Sequence, residues 1–268
     1  MFLTQKSLRK IRLLTTAYFI LDAIMLVLAL LSLALHINAV PDFIFLGLVI
    51  LLGLLFNKWG RFAEGKGKLI NAGNKLVNKE LRPREFVELY HQRKNDPTNV
   101  IAEDDFDVLR LLAAAYDSLG ESENVLATID RMIDIATPKQ KPLALLNKSA
   151  VLYSTGRVEE AEMLFHSVDT EKAGAIVKMI VDVVLKVDRA KALKDYPTAE
   201  QFLKSALNRK GLGVTPLFTV VNHFILAEIY TETDRLPEAE PHYRYCAEHG
   251  GETFYRQKSA EVLENLNK

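Results

Sequence analysis

The sequence is poor in the residues that usually announce chemistry. It has a single cysteine, Cys246, so no disulfide can form within the chain, which fits a reducing compartment. None of its six histidines stands in the His-Glu-x-x-His spacing that sets two imidazoles and a carboxylate on one metal. There is no G-x-S-x-G elbow, Walker loop or G-x-G-x-x-G fingerprint. No segment alternates with the period of two that marks a strand, and no low-complexity tract reads as disordered. These absences remove the usual sequence signs of catalysis. The chain reads as all-α and non-enzymatic, with no cofactor, metal or catalytic residue expected.

A surplus of one charge is also missing, since 34 basic and 34 acidic side chains balance over 268 residues. The balance is uneven along the chain. Residues 1–61 hold six bases (Lys6, Arg9, Lys10, Arg12, Lys58, Arg61) and two acids (Asp22, Asp42), so residues 62–268 carry 28 bases against 32 acids. A mildly acidic body makes few phosphate contacts, and these dominate nucleic-acid affinity. Nucleic acid is therefore excluded as an expected partner.

Long apolar runs are present only near the start. Leu13 to Leu35 contains one charge, Asp22, and at 1.5 Å per residue reaches roughly 34 Å, enough for a bilayer core of about 30 Å. A second run, extended from Ala39 to Trp59, follows after a short link containing Pro41. Lysine and arginine flank the two runs on their outer ends and are absent between them, which by the positive-inside rule puts both ends in the cytoplasm. The expectation is a transmembrane helical hairpin over residues 1–60 (spans about 13–35 and 39–59), in the cell membrane as a multi-pass protein with its C-terminal domain facing the cytoplasm. A cleaved signal peptide is the weaker reading, because the first run is long and a second follows it. Asp22 reads as a protonated side chain bonded to Thr15, Tyr18 or a neighbouring carbonyl, more than as part of an ion path.

The remainder, residues 61–268, repeats itself. Three segments align, beginning at Leu109, Leu146 and His223. Each has a small residue three before a tyrosine (Ala113 and Tyr116, Ala150 and Tyr153, Ala227 and Tyr230). A turn residue follows three or four later (Gly120, Gly156, Asp234), then a small or slender one (Val125, Ala161, Ala239), then a large apolar one (Ile129, Phe165, Tyr243). This pattern resembles the tetratricopeptide repeat (TPR) family, whose period is 34 residues. Small side chains let paired helices approach, and glycine permits the turn between them. A degenerate copy carries Ala199, Leu203 and Ala206 behind a long helix near 170–193. A further unit nearer the N-terminus pairs 69–78 with a helix opening at Pro83. The last segment, from Glu252, with Phe254, Tyr255, Val262, Leu263 and Leu266 on one side, reads as a capping helix. The expected architecture is an α-solenoid of about four to five helix pairs with that cap.

The resemblance also implies a binding surface. First helices of successive repeats line a concave groove in this family, which by position-matching gives Arg110, Asp117, Asn147, Val151, Ser154, Asp188, Phe224 and Glu228. Carboxylate capture by a basic row is interrupted here by Val184 and Phe224, and the mixed groove suits a helix or an extended segment. Among candidates for metal, His242, Cys246 and His249 share one helical face (i, i+4, i+7) but lack a fourth ligand, and Cys246 falls where a small packed residue is wanted. The stretch Lys210 to Pro216 is read as an inter-repeat loop, and Asn147-Lys148-Ser149 as a chance match to a glycosylation acceptor. The expected function is a membrane-tethered scaffold that binds a protein or peptide partner in the groove. The alternative is an accessory subunit of a larger membrane complex, assembled through the hairpin.

Overall fold

The computed structural model describes residues 65–94, 105–168, 175–209 and 214–266, with Gly47, Leu51 and Gly53 described singly as helical. The chain divides into two compact units, one of Met1–Asn71 with Arg93–Glu103 and one of Ala72–Gln92 with Asp104–Lys268. Regular structure among the described residues is helical throughout. In chain order the helices are α1 (65–76), α2 (Pro83–Lys94), α3 (Phe106–Ser118), α4 (Ser122–Ile135), α5 (Lys141–Ser154) and α6 (Val158–His166). Next come α7 (Ala175–Val183), which runs on through a π-helical segment (Val184–Arg189) into α8 (Ala190–Ala192), and α9 (Tyr196–Leu207). The chain closes with α10 (Pro216–Glu232), α11 (Leu236–His249) and α12 (Phe254–Leu266).

The expected membrane hairpin and the multi-pass localisation are corrected. Among the described residues no helix is long and apolar enough to cross a membrane. A span needs about 20 apolar residues, whereas the longest described helix, α10, has 17 and is buried against other helices. The two apolar runs, and Asp22 with them, lie outside the described residues apart from the three single positions named above.

Turn chemistry explains why the helices come in pairs. Gly120, Gly156 and Asp234 take left-handed backbone, at φ 74°, 77° and 57°, and so does Lys194 at 61°. At each, the following N–H reaches back five residues: Glu121 to the Tyr116 carbonyl, Arg157 to Leu152, Asp195 to Ala190 and Arg235 to Tyr230, at 2.7–3.0 Å. This is the Schellman closure, which satisfies the last carbonyls of one helix while turning the chain into the next. Lysine is an expensive choice for that backbone, so the fourth turn was invisible to a search for glycine. Other ends are capped by side chains: Asp105 accepts from the Asp107 and Val108 N–H groups, and Thr215 from Phe218.

The small positions are where helices cross. Ala161, Ala199, Ala227 and Ala239 are fully buried, and Val125 nearly so. A Cβ on Gly73 would meet Leu111 and Phe86 at 2.9 Å, so α1 meets α2 and α3 only because that residue is glycine. Leu109, Leu112, Ile129 and Met132 of α3 and α4 are buried, Leu146 packs with Val168 and Val177, Leu152 and Ala161 with Val184, and Leu203 with Phe224, Ile229 and Tyr243.

The first and last elements of the larger unit meet. Leu81 joins the core of α9 to α12, its carbonyl accepts from the Glu252 N–H at 2.8 Å, and the Asn78 carbonyl accepts from Leu217. Leu81 itself sits at φ 55°, an unfavourable backbone for leucine held in place by that hydrogen bond and by burial. Opposite it, Gly251 (φ 58°) has no room for a side chain, since a Cβ would lie 2.5 Å from that of Leu81 and 2.7 Å from its carbonyl oxygen. The succession of pairs therefore closes on itself.

Candidate functional site

Closure brings residues from four separate stretches together. Asp117 stands on the last turn of α3, Asp188 in the π-helical segment, Glu228 on α10 and Tyr255 at the start of α12. The Tyr255 hydroxyl donates to Asp117 Oδ2 at 2.9 Å across 138 residues of sequence. Its ring lies 5.2 Å from that of Phe224, which also meets Phe254 at 6.0 Å and Tyr243 at 6.2 Å. Phe254 rests on the α3–α4 turn, where a Cβ on Gly120 would lie 2.9 Å from the ring.

The acids here are poorly compensated. Asp117 is exposed at the surface, yet the protein crowded around its carboxyl raises it above the ordinary range by desolvation, with the Tyr255 hydrogen bond acting the other way. Asp188 is pushed up to about 7, first by burial and then by the charge of Asp117, with Lys191 opposing. Tyr255 is held well above the usual phenol value, by burial and then by the charge of Asp117. The nearby base is committed: Lys191 Nζ binds Glu228 Oε2 at 2.6 Å. A π-bulge is a frequent companion of functional sites because it turns a side chain out of helical register. In this bulge Val184 and Val187 enter two different apolar clusters, while Asp188 is left beside Asp117.

Of the eight residues expected to line a groove, Asp117, Asp188, Phe224 and Glu228 thus gather around Tyr255. Phe224 is only 4% exposed, so it forms the floor beneath the aromatic pair and not an open wall. Arg110 is half-buried two turns before Asp117, on the same face of α3. Asn147, Val151 and Ser154 follow one another along α5. Val151 packs against the Leu152–Ala161 cluster, and the Ser154 hydroxyl donates to the Val151 carbonyl. Lys148 is drawn to α4, where it binds Asp130 at 2.5 Å.

Tyr255 and Lys191 were not among the expected residues. The tyrosine was visible only as one member of the apolar stripe on the cap, and nothing local marks a side chain that bonds 138 positions away. The histidine–cysteine face does not converge on a point. The Cys246 thiol donates to the Val220 carbonyl, His242 Nδ1 meets His223 Nδ1 at 2.7 Å, and His249 packs on Tyr245. Among the described residues no cluster of three or more histidine, cysteine or carboxylate side chains could hold a metal.

No family model matches this chain, no curated protein matches it, and no solved structure matches it.

Proposed function

We propose that the protein is a non-enzymatic helical scaffold that binds a protein or peptide segment at the inner face of its helix pairs. The observation that supports this most is the convergence of Asp117, Asp188 and Glu228, from the first helices of three different pairs, onto one aromatic-floored site with a single committed lysine. Carboxylates left short of counter-charge favour a partner that supplies hydrogen-bond donors or a cation, and the aromatic floor favours one that also brings apolar surface. The acidic lining favours a basic or hydroxyl-bearing segment as that partner.

The test is a display library of short helical and extended peptides, panned against the full chain and against Asp117→Lys. The charge reversal should lower recovery of the selected peptides at least tenfold while far-UV circular dichroism stays unchanged. About 1.4 kcal/mol corresponds to that decade, and one charge-assisted hydrogen bond contributes roughly 1.5–3 kcal/mol. Equal recovery by both proteins would remove the inner face as the site.

A further inference from the structure

The site already has an occupant. Tyr255 is 8% exposed and sits on Phe224 with its hydroxyl on Asp117, so the first turn of α12 fills the place where the expected groove residues meet. Yet that turn is seated unevenly. Phe254, its neighbour, remains 37% exposed although it touches both Gly120 and Phe224. Beyond this turn Arg256, Gln257, Lys258, Ala260 and Glu261 are exposed, Ser259 is buried, and Val262 and Leu263 pack half-buried against the core formed with α9 to α11. The helix is therefore held to α3 by a short aromatic contact and one hydrogen bond, while its remaining attachment is to α11 and α10.

We propose that α12 is an internal stand-in for the partner, an autoinhibitory helix that must leave the inner face before the partner binds, and that the partner is a helix presenting a similar aromatic pair. The proposal rests on the reading of the inner face as the binding site. Its physical logic is competition. A ligand can take the site only by making the contacts that Phe254 and Tyr255 make now, namely ring packing on Phe224 and Gly120 and a donor to Asp117. A binding-competent state that is populated only in part weakens the apparent affinity by that fraction. Weakening the helix's own hold should therefore strengthen binding in trans.

The probe is a fluorescently labelled peptide of residues 250–266, added to the full chain and followed by anisotropy. Three proteins are compared: the parent, Tyr255→Phe, which deletes only the hydroxyl, and Phe254→Ala with Tyr255→Phe. Hydrogen–deuterium exchange of 254–266 against 216–249 is measured on each. We expect faster exchange confined to 254–266, and peptide affinity rising at least tenfold from the parent to the double variant. Adding Asp117→Lys should cancel that gain. Unchanged exchange in 254–266 in both variants would overturn the stand-in role, as would acceleration spread equally over 216–249, because that reports general destabilisation. Selective release of 254–266 with no peptide binding would overturn the competition and, with it, the reading of the inner face as a binding site.

Discussion

Two sets of carboxylates in the larger unit make opposite use of the same chemistry. Glu162 and Glu200 stand at junctions between helix pairs, and each meets an arginine. Arg189 donates to Glu162 at 2.5 Å with the Tyr153 hydroxyl beside it, and Arg235 donates to Glu200 at 2.7 Å with Lys204 and Tyr230 beside it. Both acids are held below the ordinary range, Glu200 down to about 2, with the arginine hydrogen bond as the largest cause. Asp117, which is exposed, and Asp188, which is half-buried, are pushed up instead, first by lost hydration. The difference teaches which acids fasten the helix pairs together and which cost stability where they stand. Charged groups left at such a cost are candidates for function, because packing alone does not retain them.

The comparison can be broken at its strongest point. Glu200→Ala removes the acceptor shared by Arg235, Lys204 and Tyr230, and should cost about 1.5–3 kcal/mol, which is the range for a hydrogen bond to a charged group. Thermal unfolding of the full chain checks this, and a variant as stable as the parent would mean that the paired acids fasten nothing. Asp188→Asn should act in the reverse direction. The folded carboxyl titrates near 7 against 3.8 in a free side chain. The folded state therefore holds its proton more tightly, and Asp188 costs stability progressively as pH rises from about 4 to 7. Asparagine lifts that cost, so the variant should match the parent at pH 4 and exceed it at pH 8 by on the order of 1–2 kcal/mol, allowing for solvent at the site. An advantage that is equal at both pH values would contradict the assignment. The smallest effect belongs to an acid outside both sets. Glu159, exposed on α6, should tolerate Glu159→Gln within about 0.5 kcal/mol. A larger loss would show that the division into paired and uncompensated acids is incomplete.

The parent's own pH profile should carry a second, opposing limb. Burial lowers both members of the His223–His242 pair, His223 to about 4. Neutral imidazoles are favoured in the folded state, so their contribution is present above about 6.5 and is lost as pH falls towards 4. Asp188 and the histidine pair thus act with opposite slopes over the same window and partly offset one another there.

Much of the local fold could be read from residue order, for identifiable reasons. Small residues at Ala161, Ala199 and Ala239 mark helix crossings because only a small side chain fits there, and glycine at 120 and 156 marks turns because left-handed backbone costs it nothing. Both signals act within a few residues, so a linear search finds them. Lys194 makes the same turn without the signal, and the π-helical segment around Asp188 leaves no period of its own. Half of the expected groove residues meet at one place, but the aromatic side chain around which they meet was missed.

By itself, then, the sequence determined where helices begin, turn and pair, since capping, turn chemistry and 3.6-residue periodicity are all short-range. Only the tertiary structure decided that the pairs close, that Leu81 meets Gly251 and Glu252, and that Tyr255 reaches Asp117. Closure is the sum of every helix–helix interface along the unit. No single residue encodes that sum, and it appears only when every interface is packed at once.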